Sequence, residues 1–246
     1  MQGEGRQRVR PGLTVGRGSK IAGALVLLLC VAAAEPSDPL NPTCPKHLNW
    51  STYPDMRFTL DTSSGQRVLR AEGVIDEDVP AKLEDALKTN QPIDEIWLRS
   101  PGGIARAGND AGKIIRKSGI PTRIPPGWAC FSACNFMFMG GAVRFVDSGG
   151  LFIVHMFTHV SDKEAVKSEL AKGTDKAIGL IGDVEQDSAL LASEDNDFLI
   201  RMGVSRKLLT EVMYQQKAVA DGGDNKSTRR CLTAAEAVKY NVANAQ

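Results

Sequence analysis

The sequence predicts an α/β fold with a mostly parallel sheet and a helical C-terminal part. Three observations support this prediction. Short apolar runs of strand length alternate with amphipathic helical segments over residues 57–157, one run leads through the turn Ser100-Pro101-Gly102-Gly103 into a helix, and the pattern after Ser161 is helical. A strand that passes through a tight turn into a helix is the unit from which parallel sheets are built.

Length and composition fit one folded domain behind a leader. The 246 residues are 42% hydrophobic and 24% charged, which is ordinary for a globular protein. We expect residues 1–34 to be a signal peptide, residues 35–55 to be an extended lead-in rich in Pro, Ser and Asn, and residues 56–246 to form a single domain.

The leader has the parts of a secretory signal. Five basic residues precede an apolar or small run over residues 21–34, which ends in three alanines. A helix needs about 20 apolar residues to cross a bilayer, and this run is shorter. We therefore expect cleavage after export across the inner membrane, into a bacterial periplasm; the alternative is an uncleaved anchor that leaves the same domain outside.

The net charge of the chain after the leader argues against a nucleic-acid partner. Removal of the leader leaves 25 basic and 28 acidic residues, a formal net charge of −3. A nucleic-acid-binding domain would show a basic stripe or a high pI, so we expect no nucleic-acid partner. Export also argues against cytosolic cofactors such as ATP, and we expect no cofactor.

The elements within the domain follow one another closely, and each is bounded by turn or capping residues. The predicted strands cover residues 57–60, 68–75, 93–98, a segment ending near Ala129, 143–146 and 151–157. The predicted helices are Val79–Thr89, one after the glycine turn, a buried one beginning near Ser132, two within residues 161–202, one over 205–215, and one from the capping box Thr233/Glu236 to Tyr240, with a loop over 221–230.

Four cysteines remain after the leader, an even number in a compartment where disulfides persist. They allow three pairings. We prefer Cys44 with Cys231, near the two ends of the mature chain, and Cys130 with Cys134 across one turn. Buried free thiols are the alternative.

Candidate residues for acyl transfer occur along the chain. That chemistry needs a nucleophile, a base and donors for an oxyanion, which the fold brings together. The Gly102-Gly103 turn lacks Cβ atoms, so its N–H groups can approach a substrate oxygen, although such a segment is often only a turn. Ser132 could project its hydroxyl into a cleft beside the Ala133 N–H, or could simply cap a helix.

His155 is the candidate base. It stands in an apolar strand, where a hydrogen-bonded core histidine is the alternative. His159 follows four residues later, but that spacing suits a metal on a helix and the glutamate of a metalloprotease helix is missing. We therefore expect no metal site.

The order of these motifs resembles a known family. Ser100-Pro101-Gly102-Gly103, then Cys130-Phe131-Ser132-Ala133-Cys134, then Val154-His155 is similar to the Clp protease proteolytic subunit within the crotonase-like superfamily. Exported Clp-like bacterial proteins are the nearest group. The resemblance covers residues 67–157 well and 233–241 more loosely, and it implies a Clp peptidase-like spiral of ββα units.

The resemblance also implies roles for single residues. Ser132 would be the nucleophile, His155 the base, and Gly103 and Ala133 the oxyanion N–H donors. Gly102 and Ser100 are the residues we assign to substrate binding.

The third catalytic residue departs from the family pattern. The family's aspartate should fall near Glu211, where this sequence has none. Glu211, Asp221 and Asp224 are the available stand-ins, which spacing does not separate, and Asp224 is taken as the candidate. Without an orienting carboxylate the imidazole tautomer is less well fixed.

These observations predict an exported serine hydrolase, a peptidase acting on a peptide or protein through an acyl-enzyme at Ser132. The main alternative is a catalytically degenerate crotonase-like binding or assembly protein. A thioester enzyme is disfavoured because coenzyme A esters are cytosolic, and a Ser–Lys signal-peptide peptidase because no lysine has a defensible spacing. We infer no ATPase partner; a homo-oligomer could form through the region after Ser161, which could equally pack on its own domain.

Overall fold

Ten strands and six α-helices form the part of the chain that the computed structural model describes, which is residues 37–157, 163–219 and 227–245. The strands are β1 (Ser37–Asp38), β2 (Asn41–Pro45), β3 (Arg57–Asp61), β4 (Val68–Glu72), β5 (Glu95–Arg99), β6 (Thr122–Ile124), β7 (Ala129–Phe131), β8 (Arg144–Val146), β9 (Leu151–His155) and β10 (Arg229–Cys231). The helices are α1 (Val79–Thr89), α2 (Ala105–Ser118), α3 (Cys134–Gly140), α4 (Lys163–Ala171), α5 (Thr174–Arg201) and α6 (Ala234–Lys239).

Two sheets organise these elements. The larger has the order β3-β4-β5-β6-β8, in which β3 is antiparallel to β4 and the remaining pairs are parallel. The smaller sheet has the order β10-β9-β7, in which β7 is parallel to β9 and β10 is antiparallel to β9. Two strands precede a helix in β3-β4-α1 and again in β6-β7-α3, so the predicted α/β fold of ββα units is confirmed.

The core lies between the larger sheet and the first three helices. α1, α2 and α3 turn apolar residues at helical spacing towards the sheet, and these positions are almost completely buried because the sheet supplies apolar side chains opposite them. The fully buried members include Leu69, Leu83, Ile96, Leu98, Ala111, Ile115, Met137 and Phe138.

The C-terminal segment is attached to the sheet through Arg144 on β8. This arginine is 1% exposed, and its guanidinium donates to the carbonyl oxygens of Gly141, Asn241 and Val242 at 2.8 Å each. Burial lowers the pKa of Arg144 to about 10. Three carbonyl acceptors compensate the buried charge, so the chain after α6 closes one edge of the sheet.

The lead-in is more ordered than predicted. β1 and β2 form a two-stranded sheet, and β2 lies along β10, where Arg229 N–H donates to Asn41 Oδ1 at 2.6 Å and Cys231 N–H to Thr43 Oγ1 at 3.1 Å. The loop predicted over residues 221–230 is also wrong at its end, because Arg229 and Arg230 belong to β10. These strands are short and contain polar or charged residues, so the sequence shows no apolar period over them. Their extended structure depends on pairing with neighbouring strands.

Several boundaries differ from the prediction. The strand expected to end near Ala129 is two strands, β6 and β7, separated by residues 125–128, and the following helix begins at Cys134 rather than near Ser132. The segment 205–215 is a π-helical turn (Leu208–Val212) followed by a 3₁₀ turn (Met213–Gln215). The two helices after Ser161 are confirmed as α4 and α5.

Two further local predictions are confirmed. The capping box is present, since Thr233 Oγ1 accepts from Glu236 N–H at 3.2 Å and Thr233 N–H donates to Glu236 Oε2 at 3.0 Å. The disulfides join Cys44 to Cys231 and Cys130 to Cys134. Among the described residues, no helix is long and apolar enough to span a membrane.

Candidate functional site

Ser132 lies in a strained turn between β7 and α3. Its φ is 57°, in the left-handed region that residues with a Cβ atom rarely adopt. The helix N-cap is Ala133, and no side chain caps that end, so Ser132 is not a capping serine. Strain at a single partly exposed serine is characteristic of functional turns, where the surrounding structure holds the residue in place.

Gly102 makes room for this turn. Its φ is 88°, and a Cβ atom at that position would lie 2.6 Å from Phe131 O and 2.7 Å from Ser132 Cβ. The glycine turn after β5 therefore packs directly against the serine. Any larger residue at position 102 would displace either the turn or Ser132.

The Cys130–Cys134 disulfide closes the turn that contains Ser132. Both cysteines are fully buried, and the bond spans the three residues that include Ser132. Since the bond restricts the conformations of a five-residue loop, it supports the left-handed serine.

His155 reaches Ser132 from the end of β9. His155 Nε2 lies 2.7 Å from Ser132 Oγ, a short hydrogen-bond distance. Phe131 packs against the imidazole with ring centroids 4.7 Å apart. The parallel pairing of β7 with β9 explains the contact, because Phe131 and Ile153 are in register and both chains leave the sheet at the same edge.

The other side of the imidazole meets a hydroxyl rather than a carboxylate. His155 Nδ1 lies 3.2 Å from Ser227 Oγ, and Ser227 is 8% exposed. With a proton on Nδ1, the ring donates to Ser227 and leaves Nε2 free to accept the proton of Ser132. Within residues 37–157, 163–219 and 227–245, no carboxylate bonds to the ring. Ser227 carried no signal in the sequence, since it is one polar residue within a predicted loop.

The three carboxylates proposed as the third catalytic residue have different outcomes. Glu211 is wrong for this role, because its carboxylate accepts from Lys239 Nζ at 3.0 Å and from Tyr240 Oη at 2.9 Å instead of contacting His155. Asp221 and Asp224 lie outside the described residues, as does His159.

The surroundings keep His155 neutral. Burial lowers the pKa of His155, the charge of Arg229 on the neighbouring strand lowers it further, and a hydrogen bond with the Met156 backbone acts in the opposite direction. Arg229 itself pairs with Asp38 at 3.4 Å and lies over the Trp50 ring at 5.6 Å. The ring is therefore in the form that accepts a proton, although its protonated form receives little stabilisation.

Two backbone N–H groups are available beside the serine. Ile75 N–H bonds to Gly102 O and Ile104 N–H bonds to Ile75 O, both at 2.8 Å, and this pairing leaves the Gly103 N–H unused. A Cβ atom at Gly103, whose φ is 146°, would lie 2.1 Å from Ile75 O. Neither Gly103 N–H nor Ala133 N–H takes part in a hydrogen bond with another described residue, and both residues line the cavity next to Ser132.

Ser100 lies beneath the turn rather than on the cavity wall. It is fully buried, and its Oγ accepts from the Gly102 N–H at 3.0 Å. Its side chain therefore fixes the glycine turn, and direct contact with a substrate is not expected of it.

A cavity of about 340 Å³ adjoins the serine. Its walls are mostly apolar and come from α3, β9, α5 and the π-helical turn. The lining side chains with polar groups are Ser132, Asn135, His155, Asp195 and Ser227. The described residues contain no group of three or more His, Cys, Asp or Glu that could hold a metal.

Comparison with known proteins gives structural neighbours only. No protein-family model matches the sequence, and no curated protein is significantly similar to it. Among solved structures, the chain is similar to a mutant of ClpP1 from Listeria monocytogenes, with 16% identity over 72% of this chain and 88% of that one and a TM-score of 0.44. It is also similar to a mutant of the membrane-bound stomatin-specific protease 1510-N, with 16% identity over 72% of this chain and 75% of that one and a TM-score of 0.43. The fold itself follows from the strand order and helix packing described above.

Proposed function

We propose that the protein is an exported serine hydrolase, of peptidase type, in which Ser132 is the nucleophile and His155 the general base. The observation that carries this proposal is the 2.7 Å contact between His155 Nε2 and the Oγ of a serine held at φ 57°. A hydroxyl bonded to a neutral imidazole at the rim of a cavity is the arrangement that nucleophilic acyl transfer requires.

The chemistry follows from the positions of the groups. Ser132 Oγ attacks the substrate carbonyl carbon while its proton passes to His155 Nε2. The Gly103 and Ala133 N–H groups donate to the resulting oxyanion, a contribution that typically accelerates such reactions by 10²–10³-fold per donor. Collapse of the intermediate breaks the C–N bond, and His155 returns the proton to the leaving amine. Water then hydrolyses the acyl-enzyme by the same route.

Turnover is expected to be slow. Among the described residues, Ser227 is the side chain that can orient the imidazole through Nδ1, and a hydroxyl brings no negative charge to stabilise an imidazolium, whereas Arg229 opposes that charge. A serine protease that loses its triad carboxylate loses about 10⁴-fold in rate. A Ser–His–Ser arrangement therefore favours acylation of reactive substrates over rapid peptide cleavage.

The contact between Ser227 and His155 Nδ1 also favours a second candidate function. A degenerate binding or assembly protein would keep the turn and the cavity without a carboxylate at His155, and Ser227 occupies that place. The two candidates differ in whether Ser132 becomes covalently modified.

A fluorophosphonate probe tests the proposal. It should modify Ser132 in the folded protein, and Ser132→Ala and His155→Ala should each abolish or strongly reduce labelling. Ser64→Ala, a change at an exposed turn, is the matched control and should label as the wild type does. Peptide mapping locates the adduct. Folded protein that leaves Ser132 unmodified would support the binding protein instead.

Export is a separate part of the proposal. It is supported by the leader pattern of residues 1–34 and by the cysteines after it. N-terminal sequencing of protein recovered from the periplasm should give a chain that begins after the alanine run. A recovered chain that still carries the basic residues would show that the signal is not cleaved.

Self-association remains a prediction. α5 keeps Ile178, Ile181 and Leu190 more than half exposed, which is consistent with a face that packs against another subunit. Sedimentation equilibrium measures the oligomer size directly.

A further inference from the structure

The cavity beside Ser132 contains a carboxylate that no cation in the described part of the chain neutralises. Asp195 on α5 lines the same cavity as Ser132 and is only partly exposed. Its carboxylate makes no hydrogen bond or ion pair with any other described residue, and the nearest acidic neighbour, Glu194, repels it. An acidic group held in this way in an apolar cavity is uncompensated, which is costly unless a ligand supplies the positive charge.

Within residues 37–157, 163–219 and 227–245, the rest of the wall carries no cation. Apart from the catalytic group of Ser132, His155 and Ser227, and Asn135, whose Nδ2 donates to Ile153 O at 2.7 Å, the other lining side chains of these residues are apolar, and none is a Lys or Arg. A ligand that neutralises Asp195 would therefore carry a positively charged N–H group at the end of an apolar stem. Lysine and arginine side chains have this form, with apolar methylenes and a cationic head.

Resting on the proposed hydrolase activity, we propose that this cavity binds a lysine or arginine side chain of the substrate, next to the scissile carbonyl, with Asp195 as the residue that determines specificity. A cavity of about 340 Å³ is large enough for one such side chain. Asp195 pairs with the cationic head.

The charge state of Asp195 supports this assignment. Burial, with a smaller contribution from Glu194, raises the pKa of Asp195 to about 7. A cation bound beside it would favour the ionised form and lower that pKa again. In the part of the chain that the structure describes, the titratable groups around Asp195 are Glu194 on its own helix, Tyr214, Lys167 and Glu185 along the adjoining groove, and His155 in the cavity.

Two matched phosphonate esters test the proposal. One carries an aminobutyl side chain, as in lysine, and the other carries a butyl side chain of similar length without the amine. The rate of covalent modification of Ser132 is measured for each. We expect the amino probe to react about 10- to 100-fold faster, the range that one charge-assisted hydrogen bond supplies.

Variants assign the effect to Asp195. Asp195→Asn keeps the shape and removes the charge, so it should abolish the preference for the amino probe. The preference is measured as the ratio of the two rates within each variant, so that a general change in the reactivity of Ser132 cancels. Asp195→Glu should restore part of the preference. Asp197→Asn, on the exposed side of the same helix where Asp197 pairs with Arg201, should change neither rate.

The outcomes separate the two proposals. Equal rates for the two probes, with Ser132 modified by both, would overturn the basic specificity and leave the hydrolase intact. A preference that survives in Asp195→Asn would overturn the role of Asp195. Failure of a small fluorophosphonate to modify Ser132 would reject the hydrolase, and the specificity with it.

Discussion

The two halves of the candidate site are held by different means. The serine half consists of the glycine turn at Gly102, the left-handed Ser132 and the Cys130–Cys134 bond, all within residues 100–134. The histidine half joins His155 on β9 to Ser227, 72 residues further along the chain, and β10 is tied in turn to the lead-in through Cys44–Cys231. One half is built from near neighbours in sequence, whereas the other depends on contacts between distant segments.

This difference decides how each half responds to perturbation. The Cys130–Cys134 bond joins residues four apart, and the Cys44–Cys231 bond joins residues 187 apart. In the chain-entropy model a cross-link stabilises more as the loop that it closes grows. We expect the histidine half to depend on global stability and the serine half on local geometry.

The largest effect is expected from removal of the long-range disulfide. The double variant Cys44→Ala/Cys231→Ala should lower the free energy of unfolding by about 5 kcal/mol, the entropic value for a loop of this size. Urea unfolding monitored by tryptophan fluorescence measures it. A decrease in the free energy of unfolding of less than about 2 kcal/mol would show that β10 is held mainly by its hydrogen bonds to β9 and β2.

Removal of the short disulfide should cost less stability. The double variant Cys130→Ala/Cys134→Ala removes a bond that closes a loop of only five residues, for which the same model gives a loss of about 2 kcal/mol. Its clearer effect should be on the rate at which Ser132 reacts with a fluorophosphonate, because the left-handed turn loses its support. An unchanged labelling rate, with both cysteines verified as absent and the fold intact, would contradict a role of this bond in positioning the serine.

Ser227 provides a finer test of the histidine half. Ser227→Ala removes one hydrogen bond, worth about 1 kcal/mol, and should slow labelling of Ser132 by roughly fivefold. Ser227→Asp would place a carboxylate at Nδ1 and should accelerate it, unless the new charge pairs with Arg229. Ser193→Ala, on the exposed face of α5, is the control. If both Ser227 variants label at the wild-type rate, the Nδ1 contact does not orient the imidazole.

The smallest expected effect is a shift in pH dependence. Because burial and Arg229 lower the pKa of His155, the neutral base persists to lower pH than in a free histidine, whose pKa is about 6.5. Labelling should therefore fall on acidification with a midpoint below that value. Asp195 titrates near pH 7 in the same cavity, so the profile is best measured with a neutral probe in the Asp195→Asn variant. A midpoint at or above 6.5 would indicate that the ring is stabilised in its charged form.

The sequence by itself determined the α/β class, which depends on local signals: apolar periods of strands and helices and the glycine turn after a strand. The order of its short motifs implied the contact between Ser132 and His155 through a family resemblance. It favoured the observed disulfide pairing among three, with free thiols as the alternative. The sequence predicted the serine half of the site for the same reason, since the residues that shape this half are close together in the chain.

Tertiary structure alone decided the rest. It set Ser227 against His155 Nδ1, excluded Glu211 from that place, ordered the lead-in against β10, and set Asp195 and Asn135 in the lining of one cavity. No pattern marks such residues, because each is an ordinary polar side chain until the fold removes it from water. What gives it a function is burial and the identity of its neighbours, which arise from segments that are far apart in the chain.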